Sequence, residues 1–112
     1  MNDRDFAYFE RMLTFAKRVE RRIVGVSLET FLEDEDVQDL VLYAIGQIGE
    51  SANAISDETR DKYHDILWNA LIGIRNRVFH SYEDIDMQIV YEAAKEHTPK
   101  LITQLRSITG LE

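Results

Sequence analysis

The chain has 112 residues, 45% of them hydrophobic and 30% charged, a balance that suits a globular protein with one modest core. It contains no cysteine, which excludes a disulfide framework, thiolate-bound zinc and thiol chemistry. A net charge of −8 argues against a broad phosphate-tracking surface, since counterion release supplies much of the affinity of such surfaces.

Strand signals are almost absent, and the elements read as four or five helices. The first is predicted over about 3–24, with Phe6, Phe9, Met12, Leu13, Ala16, Val19 and Ile23 at helical spacing and Gly25 ending it. It also carries Arg11, Lys17, Arg18, Arg21 and Arg22, which form either a solvated helical face or a local basic patch on an acidic body. Ser27 suits the N-cap of a short turn that leads through Phe31 to Asp34. A second long helix is predicted over about 36–55, where Val41, Ala44, Ile45, Ile48, Ala52 and Ile55 make one apolar stripe. Gly46 and Gly49 weaken that helix, and close approach of another helix is the usual compensation.

Ser56 caps a short polar turn through Tyr63, and a third helix is expected from about Asp65 to His80. Asp86 suits the N-cap of a last helix ending before Gly110, with Pro99 inside it expected to bend or break it. No repeat or linker interrupts the chain. The expected fold is all-α: one domain over 1–112, a small antiparallel bundle of four to five helices. No run approaches the roughly 18 apolar residues of a membrane span, and the charged opening MNDRDFAYFERM lacks the apolar core of a signal peptide, so a cytoplasmic protein is expected.

The third helix is the informative one. Leu67, Ala70, Leu71, Ile74 and Val78 form one apolar arc; Trp68, Ile72 and Phe79 form a second on nearly the opposite side. A helix with two apolar faces is either central in its fold or shared between its own core and a partner, and in so short a chain a subunit interface is the expectation. Asn76 and His80 are i,i+4 neighbours beside the Trp68/Ile72/Phe79 face, with Arg75 on its other flank. Five residues apart, Arg75 and His80 would sit about 140° apart on a straight helix. They would meet only if the helix loosens near His80 or if a two-fold axis brings a second copy alongside. Local spacing alone says no more than a polar cluster at an interface.

The run Arg75-Asn76-Arg77-Val78-Phe79-His80-Ser81-Tyr82 resembles the Arg-x4-His-x-Tyr signature of HepT-like proteins of the HEPN superfamily, including the Asn after the Arg. Trp68 upstream, Asp86 at the opening of the final helix, Phe31-Leu32-Glu33-Asp34 before the second helix and the IGE-type element Ile48-Gly49-Glu50-Ser51-Ala52 extend the resemblance over nearly the whole chain. The resemblance implies a two-fold homodimer with a shared site, acting as a metal-independent endoribonuclease toxin on RNA, tRNA being one candidate. Its implied antitoxin partner is a minimal nucleotidyltransferase that transfers AMP to Tyr82.

The residue types suit that chemistry. Histidine is the residue type best suited to moving protons near neutrality, so His80 is the candidate for removing the ribose 2′-OH proton and protonating the leaving 5′-oxygen. Arg75 offers a fork of donors matched to phosphate oxygens. Asn76 would orient His80 or the phosphate; Arg77 would add phosphate affinity or simply face solvent. Tyr82 is the implied AMP acceptor, whose added negative charge would compete with RNA at Arg75 and His80; the plainer alternative is a helix-end aromatic packed on the core. Glu50 stands either beside the Arg75/His80 site or as an edge-exposed acid. His64 and His97 lack ligand-spaced partners, so no metal and no cofactor is expected. The competing reading is a non-catalytic dimer that binds the nucleotidyltransferase or a nucleotide.

Overall fold

In the computed structural model, described over residues 1–80 and 82–112 and for Tyr82 in its backbone only, every regular element among the described residues is helical. Helix α1 spans Asp3–Ile23, and Asn2 caps it by accepting the Asp5 N–H at 2.7 Å. Its stripe of Phe9, Met12, Leu13, Ala16, Val19 and Ile23 is buried as the spacing predicts, each large side chain contributing about 1.5–3 kcal/mol on leaving water. Past Ile23 the chain turns through Gly25, whose φ of +74° is one an L side chain rarely adopts.

Ser27 caps the short helix α2 (Leu28–Glu33) through the Thr30 N–H, which seats Phe31 in the core, and Asp34 caps α3 (Glu35–Ala54) through the Val37 N–H. Contacts along α1 and α3 run in opposite order: Asp5 meets Ser56, Arg11 meets Gln47, and Phe15 meets Tyr43. The two helices are therefore antiparallel. Ser56 then caps α4 (Asp57–Lys62).

Helix α5 begins at Trp68, three residues later than the predicted Asp65, and ends at His80. Ile66 and Trp68 are both buried, whereas two residues apart on a helix they would point about 200° apart. A turn closed by Ile66 N–H to Tyr63 O and Trp68 N–H to Ile66 O lets both reach the core while Leu67 faces solvent. Trp68 packs edge-on against Phe9 at 5.9 Å, and its indole N–H donates to Tyr63 O at 3.0 Å.

The predicted last helix is three pieces: α6 (Met87–Glu92), a π turn over Ala93–His97, and α7 (Thr98–Thr109). Asp86 caps α6 by accepting the Gln88 N–H. Pro99 accounts for the break. It stands in the first turn of α7, where a missing N–H costs least, and the wider turn before it is closed by Thr98 N–H to Ala93 O. The expected four to five helices thus correspond to four long ones, α1, α3, α5 and α7, joined by shorter helices among the described residues. The chain is pinned at one more place by the Tyr91 hydroxyl, which donates to Val26 O at 2.6 Å.

One buried charge ties the bundle together. Asp5 is fully buried and accepts from the Ser56 N–H, the Ser56 hydroxyl and the Thr59 hydroxyl at 3.1, 2.6 and 2.7 Å, joining the start of α1 to the α3–α4 corner. Burial opposes its ionisation, but these donors, with Arg4 nearby, outweigh burial and hold the carboxyl below its usual range. A depressed folded pKa means that the contribution is complete above the unfolded value of about 3.9 and disappears as pH falls through the folded value. Asp5→Asn is expected to cost about 1–3 kcal/mol at neutral pH, a fall in Tm on the order of 10 °C. Thermal melts across pH should show the gap between variant and wild type shrinking in strong acid; a gap independent of pH would show that ionisation of Asp5 contributes nothing.

Candidate functional site

The site is built where α5 crosses α3. Gly49 is the crossing point: a Cβ there would run into Cβ of Arg75 and would lie 2.5 Å from the Leu71 carbonyl oxygen. Gly46, one turn earlier, faces Phe79 and Val78 at 3.3 and 3.4 Å from the same kind of test position. The glycine pair thus has the role its cost implied, and its pairing with α5 runs antiparallel. The close approach brings Arg75 beside Glu50, on the exposed edge of the same α3 turn.

Arg75 is held on three sides. Its Nε donates to Glu50 Oε2 at 2.8 Å, its Nη1 donates to Asn76 Oδ1 at 2.7 Å, and its guanidinium carbon lies 5.0 Å from the centre of the Phe79 ring. Glu50 is therefore the partner of Arg75 and not an unattached edge acid. Two of the five N–H donors of the guanidinium go to these bonds, and the Nη2 fork goes to neither. A planar cation so oriented can take phosphate oxygens without first losing rotamer freedom.

His80 lies exposed in the last turn of α5, one turn beyond the exposed Asn76. The helix stays α-helical through His80, so it does not loosen ahead of that residue, and within one chain Arg75 and His80 remain on different flanks, about 140° apart. Arg77 points away from Arg75 and lines a crevice with Ile85 and Ile89 of the α6 side. A 3₁₀ turn over Tyr82–Asp84 follows α5; the expected acceptor role of Tyr82 concerns a side chain outside the described residues. His64 is exposed beside Asp65, at 3.4 Å, ahead of the start of α5.

The two apolar faces expected of α5 divide differently. Trp68 belongs to the chain's own core, while Phe79 of the same arc is 46% exposed beneath Arg75. On the other arc, Leu67, Ala70, Leu71 and Ile74 line an open groove of about 430 Å³ shared with Ile89 and Leu101, whose rim includes His97. Trp68 is the one buried residue of the thirteen in α5. The platform formed by Phe79 was not anticipated, although its i,i+4 spacing from Arg75 is the signal that would have found it.

The family model described as ribonuclease HepT-like matches residues 12–108, which include the whole crossing of α3 and α5. A candidate RNase of Caldanaerobacter subterraneus is 26% identical over 94% of both chains. A candidate RNase of Methanocaldococcus jannaschii is 28% identical over 90% of this chain and 94% of its own, and a candidate ribonuclease HepT of Thermococcus cleftensis is 26% identical over 84% and 86%. No solved structure matched. With the model covering residues 12–108 and the Arg75/Asn76/His80 arrangement lying inside it, the chain belongs to the ribonuclease HepT-like family.

Proposed function

We propose that the protein is an endoribonuclease whose site is completed by a second copy of the chain. The observation that carries this reading is the guanidinium of Arg75, braced by Glu50, Asn76 and Phe79 with its Nη2 fork turned to neither bond. Such bracing suits a phosphate that gains charge during reaction. The names carried by the relatives support RNA as the substrate. A two-fold pairing of α5 through its exposed Asn76/His80 flank would bring the imidazole of one copy to the guanidinium of the other. Poor burial of α5 within its own chain supports that pairing.

In this mechanism Arg75 binds the scissile phosphate and His80 removes the 2′-OH proton. The 2′-oxygen attacks phosphorus and the P–O5′ bond breaks, with a proton delivered to the departing oxygen. The products are a 2′,3′-cyclic phosphate and a 5′-hydroxyl, and no metal takes part. The protein would act in the cytoplasm as the toxin of a pair, neutralised when a minimal nucleotidyltransferase adds AMP to Tyr82, placing phosphate charge where RNA would bind. No helix among the described residues is long and apolar enough to cross a membrane.

The test is cleavage of total RNA by purified protein with and without EDTA. Wild type should yield cyclic-phosphate ends in both, and His80→Ala should lose on the order of a hundredfold or more in rate. Equal rates, or activity abolished by EDTA, would favour the non-catalytic or the metal-dependent alternative. In the same preparation after co-expression with the transferase, peptide mass spectrometry should place AMP on Tyr82; an adduct elsewhere removes that part of the reading.

A further inference from the structure

Helix α1 carries arginines at 4, 11, 18 and 22, and spacings of seven, seven and four return them to one side of the helix. All four are exposed, and three lie over rings: Arg4 over Tyr8 at 5.3 Å, Arg11 and Arg18 over Phe15 at 5.3 and 4.7 Å. Those three guanidinium groups are thereby held against aromatic surface. Arg11 also donates to Gln47 of α3 at 2.6 Å, so this basic side of α1 borders the exposed edge of α3.

That edge consists of Tyr43, Gln47 and Glu50, at i, i+4 and i+7. At its α1 end lies a cavity of about 370 Å³ lined by Phe15, Arg18, Arg21, Arg22, Leu40 and Tyr43. Tyr43 meets Phe15 edge-on at 5.9 Å and is nevertheless 59% exposed. At the other end, Glu50 holds Arg75. Seven residues separate Tyr43 from Glu50, about 10 Å of helix. The edge of α3 is therefore the floor of a track that runs from an arginine-lined, aromatic cavity to the braced guanidinium.

We infer that this α1–α3 track is an RNA-binding site outside the catalytic residues, holding one single-stranded segment of the substrate with its phosphates on Arg11, Arg18 and Arg22 and a base stacked on Tyr43. The inference rests on the ribonuclease reading for the identity of the ligand. Charge and shape favour a polyanion with flat bases. On a chain of net charge −8, a stripe of arginines beside an exposed ring offers phosphate a local region of positive charge. Arginine plus aromatic surface is what sequence-tolerant single-strand binding requires. A merely solvated helical side would need neither the ring contacts of the arginines nor the exposed Tyr43 facing them.

The test uses His80→Ala protein, which should bind RNA without cutting it, and a fluorescein-labelled single-stranded RNA of mixed sequence followed by anisotropy across a salt series. Joint replacement of Arg11, Arg18 and Arg22 by Gln should weaken binding at least about tenfold and flatten the log K against log salt slope by about 2, near 0.7 per lost phosphate contact. The same three positions as Lys should keep the slope. Tyr43→Ala should weaken binding about tenfold with the slope unchanged. Unaltered affinity and slope in the Gln variant would reduce the stripe to a solvated helical side. Loss of assembled mass by light scattering in that variant would make the track a contact between copies instead, and would equally overturn the inference. The two readings fail separately: RNA bound in this manner by a wild type that does not cut it would remove the nuclease and keep the track. Cleavage whose KM ignores the Gln variant would do the reverse.

Discussion

Arg75→Lys should reduce RNA cleavage by on the order of a hundredfold to a thousandfold while leaving Tm nearly unchanged. Lysine preserves the charge but not the planar fork, and it cannot hold Glu50, Asn76 and a phosphate at once from fixed directions. The bonds lost are half-exposed ones, Glu50 retaining 45% exposure of its side chain, so their removal costs stability no more than about 1 kcal/mol. Glu50→Ala acts through Arg75: it frees the guanidinium and is expected to cost about tenfold. If Glu50 works by positioning Arg75, the double variant should be no slower than Arg75→Lys alone, because the brace has nothing left to orient. Additive losses would show that Glu50 has an independent task. A large drop in Tm for either single variant would mean that the pair holds the fold together and that the loss of rate is secondary.

How much of this was legible beforehand differs from residue to residue. The caps Ser27, Ser56 and Asp86 and the α1 stripe follow from local rules that tertiary packing did not override. Gly46 and Gly49 signalled a close helix crossing because each costs a helix stability without a local return, but nothing in their spacing names α5 as the partner. The placing of Trp68 went astray for a definite reason. Helical periodicity assigns it to the side of Ile72 and Phe79, whereas the turn at 65–67 delivers it with Ile66 into the core beside Phe9. Asp5 was silent in sequence because an acid in the first turn of a helix is ordinary there, and only the fold supplies Ser56 and Thr59 from more than fifty residues away. Arg75 and His80 posed the question of how two groups 140° apart could serve one site; a helix that stays regular through His80 keeps them apart within one chain, and the proposed second copy is what would unite them.

Gly49→Ala tests whether the crossing itself creates the site. The added methyl meets Cβ of Arg75 and the carbonyl oxygen of Leu71, which are fixed by the backbone of α5, so no rotamer change relieves the overlap. Helix α5 must move outward, carrying Arg75 away from Glu50. Overpacking of this kind costs about 1–3 kcal/mol, against which alanine returns at most about 1 kcal/mol of helix propensity. The matched control is Gly46→Ala, whose methyl meets only the side chains of Phe79 and Val78 at 3.3 and 3.4 Å; these can yield by a few tenths of an ångström, and the variant should sit within about 1 kcal/mol of wild type. Amide hydrogen exchange should show α5 opening more often in Gly49→Ala than in Gly46→Ala, and RNA cleavage should fall further than the lost stability explains. Apart from Trp68 on Phe9, the helix packs chiefly on α3 among the described residues, so this contact has few others to compensate for it. Identical exchange and cleavage in the two variants would mean that the Gly49 contact neither sets the position of α5 nor assembles the Arg75 brace.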